Sequence, residues 1–285
     1  MMKTEKLEKI RAVLRDDMPF TETAHHFNFL NRELRNAFDI VKTGNVSSNQ
    51  YDPIALSMIE KNADGLILDC GSGKRDTFYP NVVNFEIVPY DSTDVLGVGE
   101  MLPFRDNSFD AVFSLAVLEH VKDPFLCASE IARVMKPGAQ LYCVVPFLQP
   151  QHGYPHHYYN MTMQGVKNLF ESELEIDRQE VIASGLPVWS IAFLLRRWAK
   201  GLEGETKDAF LKMTVEELMA DPLSSLHKPF VTRLNDKTNS DLACTTALFA
   251  SKPASPISKE TLRRKNTWKG GPRAQRRSFW SRLFR

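Results

Sequence analysis

The chain has 285 residues, of which 43% are hydrophobic and 25% charged, and its formal net charge is +1. This balance is typical of a globular protein that can bury a full core, and it excludes a largely unfolded chain. No run of about 18 apolar residues occurs and the charged start is unlike a signal peptide, so we expect a cytoplasmic protein without a transmembrane segment.

The charge is unevenly distributed along the chain. Residues 252–285 contain eleven basic residues and one acid, so they carry about +10 and the remainder about −9. This Pro-, Ser-, Lys- and Arg-rich segment has no apolar period and is predicted to be a disordered tail. Phe279, Trp280 and Leu283 stand among its last cations. Such a tail suits membrane association at an anionic surface or the binding of a polyanion. A tail that only keeps the protein soluble is an equally good interpretation.

Helical spacing of apolar residues marks the N-terminal region. One stretch runs from Leu7 to Leu14 and a second from Phe27 to Val41, with Gly44 as its stop. A third, short helix is predicted to begin at Pro53. We expect these helices to cap the domain that follows.

Strand and helix signals alternate from residue 66 onward. The predicted strands lie near residues 66–69, 82–87, 94–98, 109–115, 139–145, 174–183 and 242–250. Helices are predicted between Asp123 and Met135 and over residues 162–171, with a stop at Lys136-Pro137-Gly138. The strand from Leu141 is expected to be buried on both sides. This alternation predicts an α/β fold with a doubly wound, mostly parallel, seven-stranded Rossmann-like sheet and helices on both faces.

The first strand of this sheet ends in a glycine turn. An apolar run breaks at Asp69 into Gly71-x-Gly73, where main chain can approach a ligand closely, so a nucleotide-like cofactor is predicted. A dinucleotide fingerprint needs a third glycine where Asp76 stands, which argues against NAD.

Four further segments follow the turn in a fixed order. They are Val82–Ile87, Leu102–Ser114, Leu118–Val121 and Arg133–Ala139. Together with the turn they resemble the class I S-adenosylmethionine-dependent methyltransferases, in the methyltransferase type 11 branch of ubiquinone and menaquinone biosynthesis enzymes. The resemblance covers residues 60–183 and 242–250. Pro146–Pro150 and Tyr154–Tyr159 are similar to bacterial members that often belong to surface-polysaccharide or lipid-linked glycan pathways.

The resemblance implies that S-adenosyl-L-methionine is the cofactor. The residues it places around this cofactor are Asp69, Cys70, Gly71, Ser72, Gly73, Glu86, Gly99, Glu100, Ser114 and Ala116. Asp69 and the two glycines would surround the amino-acid end of the cofactor. The Glu86 carboxylate would accept hydrogen bonds from both ribose hydroxyls.

Two positions depart from the pattern of this family. Relatives carry an aspartate for the adenine amino group where this chain has Val98, so that contact falls to main chain, to Glu100, or to no group. Only eight residues separate Gly73 from Val82, so the intervening helix is expected to shrink to a turn or two.

Histidines that follow two of the strands are the catalytic candidates. His120 is either a general base or acceptor-positioning group, or a hydrogen-bonded histidine that opens the next helix. His156 and His157, in a loop after the fifth strand, would bind the acceptor or remove its proton, or only pack the loop. No metal site is predicted there, because no acid accompanies these histidines and His152. The four cysteines lack C-x-x-C spacing and are expected to be reduced.

These signals divide the chain into five segments. They are an N-terminal helical cap (1–60), a methyltransferase core (61–183), a helical insertion that could form an acceptor lid (184–241), a last core strand (242–251) and the tail (252–285).

We predict methyl transfer to a small-molecule, lipid-linked or glycan-type acceptor. Ser114-Leu-Ala-Val stands where nucleic-acid amino methyltransferases carry an Asn-Pro-Pro-Tyr-like segment for a flipped base. Two alternatives stay open: an RNA methyltransferase, which the basic tail would suit, and a catalytically impaired binding or scaffold protein.

Overall fold

A computed structural model of the protein describes residues 2–41, 46–153 and 156–250. Gly44, Tyr154 and the tail, for which the sequence makes predictions, lie outside these residues. The chain divides into two compact units. The sheet unit comprises the described residues of Met1–Pro146 and Tyr154–Arg178, and the helical unit comprises those of Phe147–Gly153 and Gln179–Ala254.

The sheet unit is built on seven strands among the described residues. In chain order they are β1 (Thr21–Glu22), β2 (Phe27–Asn28), β3 (Ile67–Cys70), β4 (Val82–Glu86), β5 (Val95–Leu96), β6 (Phe109–Leu115) and β7 (Met135–Val144). Their order across the sheet is β1-β2-β5-β4-β3-β6-β7, and all neighbours are parallel except β1 and β2. This confirms the predicted α/β, mostly parallel, seven-stranded architecture.

Five helices belong to the sheet unit. They are α1 (Met2–Val13), α2 (Arg32–Ala37), α3 (Pro53–Lys61), α4 (Pro124–Val134) and α5 (Met163–Phe170). The sequence explains where α3 and α4 start, since the Asp52 and Asp123 side chains cap them, accepting from the N–H groups of Ala55 (2.8 Å) and Leu126 (3.0 Å). A proline at the first turn of each helix fits this start.

The helical unit contains five short α-helices and two 3₁₀ turns among its described residues. They are α6 (Pro187–Lys200), α7 (Gly204–Phe210), α8 (Val215–Leu218), α9 (Pro229–Thr232), α10 (Asp236–Asp241), Ala183–Gly185 and Pro222–Ser225. Its buried core is the small cluster of Ala199, Leu202 and Phe210. No helix in the described part of the chain is long and apolar enough to cross a membrane.

Two of the predicted strands are wrong. Residues 174–183 and 242–250 lie within the described residues and form no strand, so the predicted last core strand is absent over 242–250. Leu248 and Phe249 are each 92% exposed, so the apolar character of that stretch does not reflect burial in the sheet. The sheet instead gains β1 and β2 at its other edge.

The second predicted N-terminal helix is only partly correct. Phe27 lies in β2, where it pairs with Val95 of β5, and the helix is limited to Arg32–Ala37. Phe27 and Phe29 are both buried, which is the two-residue period of a strand. The helical spacing from Phe27 to Val41 therefore merged strand β2 with a helix of about one and a half turns.

The end of the sheet at β7 and the crossover after Gly73 also differ from expectation. Lys136, Pro137 and Gly138 lie inside β7 and do not end the preceding element, and β7 from Leu141 onward is half-buried because it is an edge strand. The described residues between Gly73 and Val82 form no helix, even of one turn.

Candidate functional site

The glycine turn lies at the carboxyl end of β3, which is paired with β4 on one side and β6 on the other. The chain places β4 on one side of β3 and later returns to place β6 on the other side. In an open parallel sheet, ligands bind in the crevice at the carboxyl ends of the strands where the strand order changes direction in this way. Gly71 and Gly73 have φ values of 86° and 63°, a left-handed conformation that favours glycine. A Cβ on Gly71 would lie 2.6 Å from the Val117 side chain, and one on Gly73 2.7 Å from the Ser47 carbonyl oxygen. Protein atoms therefore occupy the space that these two glycines leave.

Asp69 precedes this turn and is fully buried. Its Oδ2 accepts hydrogen bonds from the Tyr51 hydroxyl (2.5 Å) and from Nε (3.1 Å) and Nη2 (2.8 Å) of Arg75. The Arg75 guanidinium also lies over the Tyr51 ring, 3.9 Å from its centre. Among the described residues, Oδ1 of Asp69 has no hydrogen-bond partner. A buried carboxylate oxygen in this condition is costly unless a ligand donates to it.

Glu86 occupies the end of β4, the neighbouring strand. Its carboxylate accepts from the N–H of Ile87 and lies near the N–H groups of Val88 and Gly73. Burial raises the pKa of Glu86 to about 7, and the negative charge of Asp69 adds to the shift. The two predicted cofactor carboxylates therefore lie together at the carboxyl edge of adjacent strands.

These groups fit S-adenosylmethionine by their chemistry. The free Oδ1 of Asp69 can accept from an ammonium group, and the partly exposed Glu86 can accept from a vicinal diol. Sequence reasoning missed Tyr51 and Arg75, which hold the other oxygen of Asp69. Little in the sequence indicates these two contacts. Arg75 stands two residues beyond the Gly71-x-Gly73 turn, and Tyr51 lies in a separate segment.

Gly99 and Glu100 follow β5. A Cβ on Gly99 would lie 2.7 Å from the Cys127 sulfur and 3.8 Å from the Cys70 sulfur, so this turn packs tightly against two buried thiols. Oε1 of Glu100 accepts from the N–H groups of Lys122 (3.1 Å) and Asp123 (3.3 Å), which joins this turn to the start of α4. Burial raises the pKa of Glu100 to about 7. Its contact with adenine stays a prediction.

The remaining predicted cofactor residues lie close to the main chain of the sheet. Ser72 is buried and its hydroxyl donates to the Gly73 carbonyl (3.0 Å). Ser114 is fully buried within β6, and Ala116 just beyond has a left-handed φ of 56° while its N–H donates to Val144 (2.8 Å). The strained backbone distinguishes Ala116 but does not identify a ligand, so the contact of Ala116 with the cofactor also stays a prediction.

His120 follows β6 and has a defined orientation. Its Nδ1 lies 2.7 Å from the carbonyl oxygen of His156, and because a carbonyl can only accept, Nδ1 carries the proton. In the neutral ring Nε2 then carries the lone pair, and it lies 3.8 Å from Oε1 of the buried Glu119. Burial raises the pKa of Glu119 to about 7.

The structure brings His156 and His157 to His120 in different ways. The Nε2 of His156 donates to the Asp39 carbonyl (3.0 Å), so this ring is held while its own main chain orients His120. The ring of His157 packs edge-on against that of His120, with centroids 5.6 Å apart, and its Nε2 lies 2.9 Å from Oδ1 of Asn160. His152 belongs to the helical unit.

A pocket of about 280 Å³ lies at the start of α4, two residues beyond His120. Its lining combines aromatic and aliphatic surface with one ammonium, one carboxylate and one phenol: Ala37, Phe38, Lys122, Asp123, Pro124, Phe125 and Tyr159. Lys122 is paired with Asp39 at 2.5 Å, and the Tyr159 hydroxyl donates to the Lys122 carbonyl (3.3 Å).

Comparison with known proteins finds similarity to methyltransferases. Residues 79–143 match the family described as "Methyltransferase domain". The chain is 39% identical over 70 residues to cycloartenol-C-24-methyltransferase 1 of Oryza sativa subsp. japonica, a match that covers 25% of this chain and 19% of that protein. It is 47% identical over 51 residues to demethylmenaquinone methyltransferase of Corynebacterium glutamicum (strain R), covering 18% and 22%.

Similarity to solved structures is low in sequence and partial in extent. The YcgJ protein of Bacillus subtilis is 15% identical with a TM-score of 0.37, over 54% of this chain and 85% of that one. The chain spans less than half the length of the curated relatives it matches, from 19% to 45%.

The sheet order and the glycine turn define a Rossmann-like cofactor-binding domain. Within it, residues 79–143 match a methyltransferase domain, so this segment is similar to the class I S-adenosylmethionine-dependent methyltransferases, whose cofactor is S-adenosylmethionine.

Proposed function

We propose that the protein transfers the methyl group of S-adenosylmethionine to a small-molecule, lipid-linked or glycan-type acceptor. The observation that carries the proposal is the buried Asp69, whose Oδ1 lacks a partner among the described residues, beside Glu86 at the crevice of the sheet. An ion-pairing role alone would leave that oxygen unexplained, because Arg75 and Tyr51 both bind the other one.

Each carboxylate has a separate task in this proposal. Oδ1 of Asp69 would accept from the cofactor ammonium, and Glu86 would accept from the two ribose hydroxyls. When bound, S-adenosylmethionine supplies a methyl group that is activated by its sulfonium. The protein must then hold the acceptor in line with that methyl group and remove the acceptor proton.

His120 is the residue we assign to proton removal. Its Nδ1–H is committed to the His156 carbonyl, so Nε2 is the basic atom, and a proton gained there lies 3.8 Å from the Glu119 carboxylate. Burial raises the pKa of Glu119 to about 7, so this carboxylate becomes negatively charged as pH rises through about 7. A negative Glu119 stabilises the proton that Nε2 gains, so the rate should rise with pH through about 7.

The pocket at the start of α4 is the site we assign to the acceptor. Its aromatic and aliphatic wall would contact an apolar body, while the Lys122 ammonium and the Tyr159 hydroxyl would orient polar groups. This arrangement supports an acceptor that has both an apolar body and polar groups.

Radiolabelled methyl donor, incubated with the protein and fractionated cell extract, tests the proposal. Label should appear in a small or lipid-linked product, and label entering RNA alone would contradict the assigned acceptor class. In His120→Asn, we expect turnover to fall by about 10²–10⁴-fold and the rise near pH 7 to disappear, while the donor KM is unchanged. His25→Asn, on an exposed N-terminal turn, is the control and should retain activity.

A scaffold that has lost turnover is the second candidate. It is favoured by the Ser47 carbonyl, which contacts the turn at Gly73 and accepts from the Lys74 N–H (2.7 Å), so that residues near Ser47 occupy space beside the glycine turn. Calorimetry separates the two candidates. The absence of heat and of a thermal shift at millimolar donor would favour the scaffold.

A further inference from the structure

The helical unit has an exposed apolar surface on its longest helix. We define the α6 surface by six large side chains that are all exposed: Val188, Trp189, Ile191, Phe193, Leu194 and Leu195. Val188 is 65% exposed and Ile191 is 58% exposed. These residues lie in the first two and a half turns, where the helix has no buried residue.

Among the described residues, the last turn of α6 is the part that joins the buried core of its own unit. Ala199 is buried there, and the Trp198 ring stacks on Phe210 with centroids 6.0 Å apart and donates its N–H to the Phe230 carbonyl (2.9 Å). The helix is about 21 Å long at 1.5 Å per residue, which is shorter than the roughly 30 Å needed to span a bilayer. Its length suits a helix that lies in a membrane surface.

The charges on α6 indicate which surface it would meet. Residues 187–200 contain Arg196, Arg197 and Lys200 and no acid. Arg197 is paired with Asp241 (2.8 Å), while Arg196 and Lys200 are exposed at the anchored end. Cations next to exposed Trp, Phe and Leu side chains are the pattern of helices that bind anionic lipid interfaces.

A second apolar stretch of the same unit provides an internal comparison. Residues 211–226 also expose large apolar side chains: Leu211, Val215, Leu218, Met219, Leu223 and Leu226. That stretch contains three acids, Glu216, Glu217 and Asp221, and one base, Lys212. An anionic surface would repel it, so apolar exposure alone does not select a lipid-binding site in this unit.

We propose that the helical unit docks on an anionic lipid bilayer through the α6 surface, with Trp189 and its apolar neighbours in the interface and Arg196 and Lys200 at the lipid phosphates. This proposal is independent of methyl transfer, because it concerns a different unit and needs no donor. The Trp189 indole N–H already donates to the Ala183 carbonyl (3.0 Å), so the ring can enter the interface without an unpaired donor.

Vesicle co-sedimentation of the full chain tests the proposal. The protein should bind vesicles of phosphatidylcholine with phosphatidylglycerol, and binding should weaken with added salt. The double variant Ile191→Gln/Leu194→Gln should lose about tenfold or more in affinity, and Arg196→Gln/Lys200→Gln about tenfold at low salt. The control Met219→Gln/Leu223→Gln removes apolar side chains that are more exposed than Ile191 and Leu194 from the acidic stretch, and it should bind like the wild type.

Three outcomes would overturn the proposal. The first is a wild-type protein that does not bind the anionic vesicles. The second is an Ile191→Gln/Leu194→Gln variant that binds as well as the wild type, which would assign binding to the basic segment after Ser251. The third is a wild-type protein that sediments as a dimer and does not bind vesicles, while the Ile191→Gln/Leu194→Gln variant sediments as a monomer. That result would assign the α6 surface to a second copy of the chain. Circular dichroism of each variant establishes that the fold is retained.

Discussion

The sheet unit and the helical unit use their apolar residues in opposite ways. In the sheet unit the central strands β3 to β6 are almost wholly buried, and even the charged pair Lys6–Asp94 lies inside at 2.5 Å with both side chains at most 2% exposed. In the helical unit three buried residues form the core, and most of the large apolar side chains of α6 face solvent. A densely packed unit can hold carboxylates at fixed positions, as a cofactor site requires, whereas a thinly packed unit offers surface for a partner.

The largest expected effect on stability comes from the buried ion pair of the sheet unit. Lys6→Met leaves the Asp94 carboxylate in the core without its ammonium, so the free energy of unfolding should fall by about 3–5 kcal/mol. Urea denaturation followed by circular dichroism measures this. Lys9→Met, at an exposed position of the same helix, should change stability by about 0.5 kcal/mol or less. Equal losses in the two variants would show that the core does not depend on this pair.

The small core of the helical unit should respond locally. Phe210→Ala removes a ring that packs on Trp198 and Phe230, and should destabilise this unit by about 3 kcal/mol. Because the two units have separate cores, we expect the sheet unit to keep its own thermal transition in calorimetry. Leu211→Ala, at the exposed neighbouring position, should have little effect. A single transition that shifts as a whole would contradict the division into two units.

The pH dependence of stability should report the buried Glu100. Its pKa is about 7 in the folded protein against an ordinary value of 4.5, so the folded state keeps a proton that the unfolded state has lost. That contribution to stability is fully present below the lower pKa and is lost as pH rises through about 7. Glu100→Gln cannot lose a proton and become charged in the core, so relative to the wild type it should gain about 1–3 kcal/mol between about pH 5 and about pH 8. Parallel curves of unfolding free energy against pH would contradict this.

The smallest expected effect is that of an ion pair in the helical unit. Arg197→Gln removes one of two cations from Asp241, which retains Lys237 at 2.8 Å, and the pair is partly exposed. We expect a loss of about 1 kcal/mol or less in urea denaturation. A loss as large as that of Lys6→Met would remove the contrast between the two units.

Local patterns predicted the centre of the sheet well. Apolar runs of four to seven residues located β3, β4 and β6, and the aspartate-proline pairs located the starts of α3 and α4. These signals are local because the strands are buried on both faces and the caps bind their own helix.

The errors arose where the outcome depends on distant partners. Residues 242–250 are as apolar as a strand, but a strand forms only where a sheet edge accepts it, and β1 and β2 extend the sheet at its other end. In the site, the sequence identified Asp69 and Glu86 through spacing and resemblance. It gave no sign that Arg75 and Tyr51 would bind one oxygen of Asp69, because that contact joins three separate segments.

Calorimetry with S-adenosylhomocysteine tests the central claim most directly, namely that Asp69 and Glu86 form the cofactor site. The wild type should bind, and Glu86→Gln should weaken binding by roughly 10–100-fold, because charge-assisted hydrogen bonds to two hydroxyls are lost. Glu8→Gln, an exposed carboxylate on α1, should bind like the wild type. No heat from the wild type, or an unchanged affinity in Glu86→Gln, would contradict the account.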